Sequence, residues 1–217
     1  MSLTVYGAAL SPFVRKVLFF IEEKGLEYQL ENIMPGMLPD WYLEINPLGR
    51  IPSLRDGDLD LSDSAIICHY LQRKYGGKTN LLGDTPAEKA KVEWFEKYAD
   101  YEVAPLATFT VFFNRTLMPM MGKSCDEEKV QQALSKLPKH FDYLETQLNG
   151  NEYFVGNRFT LADIAVATQW INFEYAKERL DEQRWPNLVA HKARVFGREA
   201  GQKRLAHETK ILQKLGV

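Results

Sequence analysis

Cysteine is scarce in this chain, since only Cys68 and Cys125 occur among 217 residues. Two cysteines are too few for a disulfide framework, and neither belongs to a Cys-x-x-Cys pair or to a Cys/His spacing of the kind that binds zinc. The four histidines also lack the spacing of metal ligands. We therefore expect a protein of a reducing compartment that has no metal cofactor.

An excess of charge of one sign and long apolar runs are missing as well. The 27 basic and 29 acidic side chains leave a formal net charge of -2, without the basic excess typical of nucleic-acid-binding proteins. Arg15 and Lys16 precede any long apolar run, and no stretch approaches the roughly 20 apolar residues that cross a bilayer. We expect a cytoplasmic protein with neither a nucleic acid nor a membrane as partner.

Up to residue 77 the sequence alternates between strand and helix patterns. Apolar residues in the first helical segment recur at the spacing of one helix face, Gly25 is suited to end that helix, and Asp56-Gly57 is a strong hairpin turn. The predicted elements are a strand over 3–6, a helix over 11–25, a strand over 27–33, a short helix over 40–45, strands over 51–54 and 59–61, and a helix from 62 or 63 to 76. The order is therefore β-α-β-α-β-β-α.

A polar, glycine-rich stretch follows, and beyond Pro86 no convincing strand pattern occurs. We predict a first domain over residues 1–77, a linker over 78–86 and an all-helical second domain over 87–217. Its predicted helices cover 87–121, 126–148, 161–180, 187–196 and 202–215, and Pro105 and Pro119 are expected to kink or divide the first of them. The fold class is thus an α/β domain followed by an all-α domain.

The first candidate for chemistry is Ser11, which opens the segment SPFVRKV at the start of the first helix. A hydroxyl in this place lies beside unpaired backbone N–H groups that carry roughly half a positive charge, so an anion is favoured there. The alternative is that Ser11 and Pro12 only begin the helix.

Two further motifs come from the same domain. NPLGRIPSL covers residues 46–54, and SDSAI begins at Ser62, at the start of the last helix of the domain. Asp63 and Ser64 combine an anion with a hydroxyl at a helix N-terminus, which suits a ligand that has both an ammonium and a carboxylate. Taken alone, they are better explained as capping residues.

The three motifs, in this order on a βαβαββα pattern followed by helices, resemble the cytosolic glutathione S-transferases along essentially the whole chain. SPFVRKV is similar to the serine-using tau and phi classes, while Met37 and Leu38 are apolar where those classes usually have a lysine or a histidine. The resemblance implies a thioredoxin-like first domain, glutathione as co-substrate and a homodimer. We restrict the assignment to a serine-type transferase, bacterial or plant-like.

The resemblance also implies a set of site residues. Ser11 would donate a hydrogen bond to the glutathione sulfur, and a cis Ile51–Pro52 bond would let the backbone of Ile51 pair with the cysteinyl backbone. Arg50 would contact the glycyl end, although a solvated surface arginine is an equal alternative. Asp63 and Ser64 would bind the γ-glutamyl group.

The pocket for a small apolar electrophile is implied in the stretch TFTVFFNRTLMPMM, rich in aromatic residues and methionine. Its candidates are Phe109, Phe112 and Phe113, and core packing is the alternative for most of this stretch. The motif FTLAD, residues 159–163, is interpreted as a capping box of the helical domain with no part in the site.

The expected function is activation of the glutathione thiol and its transfer to apolar electrophiles, with peroxide reduction as a further reaction. Two alternatives remain. One is a non-catalytic transferase-fold protein used for interaction, as in the stringent-starvation proteins or the gamma subunit of elongation factor complexes. The other is a glutathione-dependent isomerase, which would share the thiol site.

Overall fold

The computed structural model describes residues 3–77 and 79–215, and the chain divides into two compact units, Met1–Leu82 and Gly83–Val217. The predicted linker over 78–86 includes Lys78, which lies outside the described residues. Leu81 and Leu82, at the end of the first unit, are both buried. The predicted domain limits remain a prediction.

The first unit has the predicted order β-α-β-α-β-β-α and a thioredoxin-like fold. Its elements are β1 (Leu3–Tyr6), α1 (Pro12–Glu23), β2 (Tyr28–Glu31), α2 (Tyr42–Ile45), β3 (Ser53–Asp56), β4 (Leu59–Ser62) and α3 (Ser64–Tyr75). The four strands form one sheet in the order β2-β1-β3-β4, in which β2 is parallel to β1 and the other neighbours are antiparallel. The prediction of the fold of this unit is confirmed.

The register of the sheet brings several strand ends to one edge. Tyr6 at the end of β1 pairs with Ser53 at the start of β3, and Ser53 pairs in turn with Ser62 at the end of β4. The loop after β1, the loop before β3 and the segment after β4 therefore all meet at this same edge. Glu31, the end of β2, pairs with Tyr6 on the other side.

The limits of α1 follow from its sequence. Ser11 is the N-cap residue, and Pro12 occupies the first turn, where a missing N–H costs no helical hydrogen bond. At the other end Gly25 adopts φ +65°, and the N–H of Leu26 donates to the carbonyl of Ile21. The predicted left-handed glycine cap is confirmed.

One apolar cluster of the first unit lies around Tyr6 and α2. It consists of Tyr6, Ile33, Tyr42 and Ile45, with the partly buried Leu38 and Ile51 packed against it. The ring of Tyr6 contacts those of Trp41 and Tyr42 with centroid distances of 5.7 and 6.2 Å. This packing orients the short helix α2 next to the segment that leads into β3.

The second unit is built from helices. They are α4 (Pro86–Tyr98), a π-helical stretch (Ala99–Val103), α5 (Ala104–Leu106), a second π-helical stretch (Ala107–Leu117), α6 (Met118–Met120), α7 (Glu127–Leu148), α8 (Leu161–Tyr175), α9 (Pro186–Phe196) and α10 (Glu199–Leu215). The first predicted helix is divided as expected, with Pro105 and Pro119 in the two short helices. None of the helices in the described ranges is both long enough and apolar enough to span a membrane.

The predicted extent of α8 to residue 180 is wrong, because the helix ends at Tyr175. Lys177 adopts φ +64°, and the N–H of Glu178 donates to the carbonyl of Phe173. This is the geometry of a helix end that usually contains glycine or asparagine. A lysine in that position leaves no sequence signal for the end of the helix.

Candidate functional site

Ser11 lies at the edge of the sheet described above, between β1 and α1. It is half-buried, and its Oγ accepts a long hydrogen bond of 3.4 Å from the backbone N–H of Val14. Because Oγ is the acceptor in this contact, the hydroxyl hydrogen is not used in it. Ser11 can therefore cap α1 and donate to a ligand with the same oxygen.

Gly7 brings the loop of Ser11 close to the segment before β3. A Cβ atom at Gly7 would lie 2.5 Å from Cγ2 of Val14 and 3.3 Å from Cβ of Ile51, closer than packed carbon atoms approach. Gly7 also adopts φ +156°. Only a residue without a side chain lets β1 continue into the Ser11 loop directly beside Ile51.

The segment from Arg50 to Pro52 enters β3 with a cis Ile51–Pro52 peptide bond, as the resemblance implied. The carbonyl oxygen of Arg50 accepts two hydrogen bonds of 2.7 Å, one from the hydroxyl of Tyr42 and one from Nδ2 of Asn46. The side chain of Arg50 is exposed at this edge. The backbone of the segment is thus held from α2, while the guanidinium group is accessible.

Asp63 and Ser64 follow directly after β4, at the same edge. The backbone of Asp63 adopts φ 78° and ψ 124°, and one oxygen of its exposed carboxylate accepts from the N–H groups of Ala65 and Ile66 at 2.8 and 3.2 Å. Ser64 is only 4% exposed. Asp63 is outside the ordinary left-handed region at these angles, and backbone strain of this kind costs of order 1–3 kcal/mol and clusters at active sites and ligand-binding segments.

The register thus assembles the predicted residues of the first unit at one edge of the sheet. These are Ser11, Arg50, Ile51, Pro52, Asp63 and Ser64. The edge also holds the start of the loop after β2, because the N–H of Gly7 donates to the carbonyl of Glu31. In that loop Met37 is 82% exposed, while Leu38 packs into the cluster around Tyr6.

The three phenylalanines predicted for the electrophile pocket lie in the second π-helical stretch of the second unit. Phe112 is only 2% exposed, and its ring lies 6.5 Å from that of Tyr175. Phe109 and Phe113 are 59% and 38% exposed. The three side chains therefore differ, since Phe112 packs inside the protein and the other two reach its surface.

The structure also reveals residues that the sequence analysis did not include in the site. Tyr42 and Asn46, which hold the Arg50 carbonyl, are 0% and 3% exposed. Burial is the main reason that the pKa of Tyr42 is raised, so this side chain keeps its proton and remains a hydrogen-bond donor. Asn46 begins the motif NPLGRIPSL but was given no role of its own, and nothing in the sequence distinguished Tyr42.

A metal is not suggested by the side chains that the structure describes. Within residues 3–77 and 79–215, no group of three or more histidine, cysteine or acidic side chains could hold a metal ion. What the edge of the sheet offers is a hydroxyl at a helix N-terminus, a carboxylate, a guanidinium group and backbone polar groups. This set suits a small zwitterionic peptide with an additional anionic centre.

Comparison with known proteins gives the family. Residues 5–79 match the glutathione S-transferase N-terminal domain, and residues 107–199 match the glutathione S-transferase C-terminal domain, which together cover more than half of the chain. Glutathione S-transferase F10 of Arabidopsis thaliana is 36% identical over 171 residues, which cover 76% of this chain and 78% of that protein.

Two further matches extend over nearly the whole chain. A glutathione S-transferase of Hyoscyamus muticus is 29% identical over 214 residues, covering 96% of this chain and 100% of that protein. The structure of glutathione S-transferase-I bound with the ligand lactoylglutathione has a TM-score of 0.83 at 27% identity and covers 95% of this chain and 99% of its own. The chain described here belongs to the glutathione S-transferase family.

Proposed function

We propose that this glutathione S-transferase stabilises the thiolate of glutathione through the hydroxyl of Ser11. The observation that carries this proposal is the position of Ser11 as the N-cap of α1, with its Oγ accepting from Val14. The N-terminus of the helix favours a negative charge nearby, and the hydroxyl can donate to it. The thiol proton leaves to solvent, and the thiolate sulfur then forms a bond to a carbon of the electrophile. In a substitution the leaving group departs with its bonding electrons, and in an addition the electrophile takes up a proton from solvent.

One hydrogen bond to an anion contributes about 1.5 to 3 kcal/mol. Since one pKa unit corresponds to about 1.4 kcal/mol, this lowers the pKa of the bound thiol by about one to two units. A thiol with an ordinary pKa of about 8.5, of which about 3% is ionised at pH 7, would then be about a quarter to three-quarters ionised at that pH. Ser11 forms no covalent intermediate in this scheme, because its oxygen only donates a hydrogen bond.

The rest of the glutathione molecule extends along the edge of the sheet. The backbone of Ile51 pairs with the cysteinyl residue in the manner of an added strand. The carboxylate of Asp63 attracts the ammonium of the γ-glutamyl group, and Ser64 with the N-terminus of α3 receives its carboxylate. Because Met37 and Leu38 are apolar and cannot bind a carboxylate, we assign the glycyl carboxylate to the guanidinium group of Arg50.

The electrophile is an apolar molecule, and Phe109 and Phe113 are the side chains that we assign to its binding. Both are exposed aromatic residues, which suits contact with an apolar ligand. The resemblance to the cytosolic transferases further leads us to propose a cytoplasmic homodimer. Cell fractionation and sedimentation, in which the dimer has the mass of two chains, test these two points.

Calorimetric titration with glutathione and turnover of an aromatic electrophile test the proposed function together. Wild type is expected to bind glutathione. Ser11→Ala is expected to lose about ten- to a hundredfold in turnover, which corresponds to one hydrogen bond to an anion, with a much smaller change in glutathione affinity. Equal turnover of the two proteins would contradict the assignment of Ser11.

A further inference from the structure

A chain of three hydroxyl groups, two of them fully buried, lies next to the edge of the sheet that carries Ser11, Arg50 and Asp63, called here the glutathione edge. Oη of Tyr42 lies 2.9 Å from Oγ of Ser53, and this Oγ lies 2.8 Å from Oγ of Ser62. Tyr42 and Ser53 are both 0% exposed. The three side chains come from α2, β3 and β4, so the chain of hydroxyls crosses three elements.

The two ends of this chain adjoin the two segments assigned to glutathione. At one end the hydroxyl of Tyr42 donates to the carbonyl of Arg50, directly before Ile51. At the other end Ser62 is the residue directly before Asp63. The register of the sheet places Ser53 opposite Ser62, so Tyr42 joins the carbonyl of Arg50 to a pair of serines that bridges β3 and β4.

Counting hydrogens gives the direction of each bond. The single hydroxyl hydrogen of Tyr42 is used on Arg50, so Ser53 must donate to Tyr42, and Ser62 must then donate to Ser53. The 3.4 Å contact of Ser62 with the carbonyl of Ile45 is the weaker use of the same hydrogen. All three donors therefore point the same way, an arrangement in which each bond polarises and strengthens the next.

We propose that Tyr42 is a positioning residue for glutathione, which acts through this chain to hold the Arg50–Pro52 segment in register with Asp63 and Ser64. The inference rests on the proposed function. Tyr42 has no contact with the thiol in this scheme. Its removal therefore changes how well glutathione is bound and leaves the ionisation of the bound thiol as it was.

The alternative is that the hydroxyls only stabilise the fold. Packing of α2 depends on the ring of Tyr42, which contacts Tyr6 and Trp41 and is kept in Tyr42→Phe. Asn46 still donates to the Arg50 carbonyl in that variant, so the carbonyl is not left without a partner. Tyr42→Phe thus removes the hydroxyl that joins the Arg50 carbonyl to the Ser53–Ser62 pair, with little change in packing.

The experiment measures the dissociation constant of glutathione, turnover at saturating glutathione and the pKa of the bound thiol. For Tyr42→Phe we expect about fivefold weaker glutathione binding, since one neutral hydrogen bond is lost, with turnover within about twofold and the thiol pKa unchanged. Tyr28→Phe is the matched control, because it removes a hydroxyl that bonds to Glu22 elsewhere in the unit. It should leave glutathione binding unchanged.

If Tyr42→Phe does not fold, Ser53→Ala and Ser62→Ala test the positioning role of Tyr42 instead. Both break the same chain and should weaken glutathione binding to a similar extent. Because all three act through one path, the double variant Tyr42→Phe/Ser62→Ala should lose less than the product of the single losses. Multiplicative losses, or unchanged glutathione binding in folded Tyr42→Phe or Ser53→Ala, would overturn the inference.

Glutathione binding by the wild-type protein shows whether a negative result refutes the positioning role of Tyr42 or the proposed function itself. If wild type binds no glutathione, the proposed function fails and the positioning role fails with it. If wild type binds and turns over but the three variants bind equally well, the transferase site stands and only the positioning role is wrong.

Discussion

At the scale of the single residue, Ser11 and Asp63 show how one side chain can serve both the fold and the ligand. Each caps a helix through its side-chain oxygen, Ser11 at α1 and Asp63 at α3. Each retains a group that a ligand can use, the hydroxyl hydrogen in one case and the negative charge in the other. A capping residue and a binding residue are therefore not exclusive descriptions at this edge.

The charge of Asp63 can be removed without disturbing its cap. Asparagine caps helices as well as aspartate and tolerates positive φ, so Asp63→Asn should fold normally. We expect about tenfold or greater loss of glutathione affinity, because the ion pair between the carboxylate and the γ-glutamyl ammonium is replaced by a weaker hydrogen bond from the ammonium to an uncharged amide oxygen. Calorimetry measures the loss.

Asp58→Asn is the control for this substitution, because Asp58 is exposed in the turn between β3 and β4, at the other end of these strands. It removes the same charge from the same unit and should leave glutathione affinity unchanged. An equal effect of both substitutions would mean that the net charge, and not Asp63 itself, attracts the ligand.

At the scale of the element, a second polar cluster surrounds Asp56, the last residue of β3, at the opposite end of this strand from Ser53. Oδ2 of the buried Asp56 accepts from the hydroxyl of Tyr75 at 2.7 Å, from Nζ of Lys74 at 2.8 Å and from the hydroxyl of Tyr70 at 2.9 Å. Burial alone would raise the pKa of Asp56, but Lys74 and the two tyrosines outweigh it and lower the pKa. These three hydrogen bonds connect α3 to the β3–β4 hairpin.

Tyr75→Phe should destabilise the protein in a manner that depends on pH. At pH 7 we expect the free energy of unfolding to fall by about 1.5 to 3 kcal/mol, the contribution of a hydrogen bond to a charged group. A lowered pKa in the folded state adds stability above the unfolded pKa of about 3.9, and this stability is lost as the pH falls through the folded pKa.

The difference between wild type and Tyr75→Phe should therefore shrink below about pH 4. Urea unfolding at pH 7 and pH 3 measures it. A difference of the same size at both pH values would show that Tyr75 contributes through packing and not through the charge of Asp56.

The predicted capping box of α8 is confirmed, but its Asp163 also has a distant partner that the sequence pattern did not predict. One carboxylate oxygen of Asp163 accepts from the N–H of Thr160 at 2.7 Å, as a local motif predicts. The other oxygen contacts Nε2 of the buried His191 at 2.9 Å and accepts from the N–H of Phe154. His191 lies 28 residues away in the sequence, and no spacing rule predicts such a partner.

The same limit explains Tyr42, whose hydrogen bonds to Arg50 and Ser53 depend on how α2 folds back on β3. Helix ends are equally hidden when an uncommon residue forms them, as Lys177 does after α8. Glycine, proline and the hydrophobic period act through the local backbone, and they predicted the order of the elements of the first unit. Tertiary partners depend on the folded chain and could not be predicted from them.

At the scale of the whole molecule, the second unit contributes exposed aromatic side chains whose use is a separate question from glutathione binding. Phe113→Ala should raise KM for apolar electrophiles several-fold, because this partly exposed ring is assigned to the electrophile, and should leave the dissociation constant of glutathione unchanged, because no contact with glutathione is assigned to it. Steady-state kinetics with electrophiles of increasing apolar size measures the effect.

Phe112→Ala is the contrasting variant. This side chain is almost fully buried, and its removal should lower the free energy of unfolding by about 3 to 5 kcal/mol. A stable Phe112→Ala protein with a raised KM, or a Phe113→Ala protein with unchanged KM, would contradict the distinction between the packed and the exposed phenylalanine.

The ultraviolet absorbance of the thiolate, followed against pH, tests most directly whether Ser11 stabilises the thiolate of bound glutathione. In wild type the bound thiol should titrate about one to two pKa units below the free thiol. In Ser11→Ala, saturated with glutathione, the pKa should return towards that of the free thiol. An equally lowered pKa in both proteins would contradict the account.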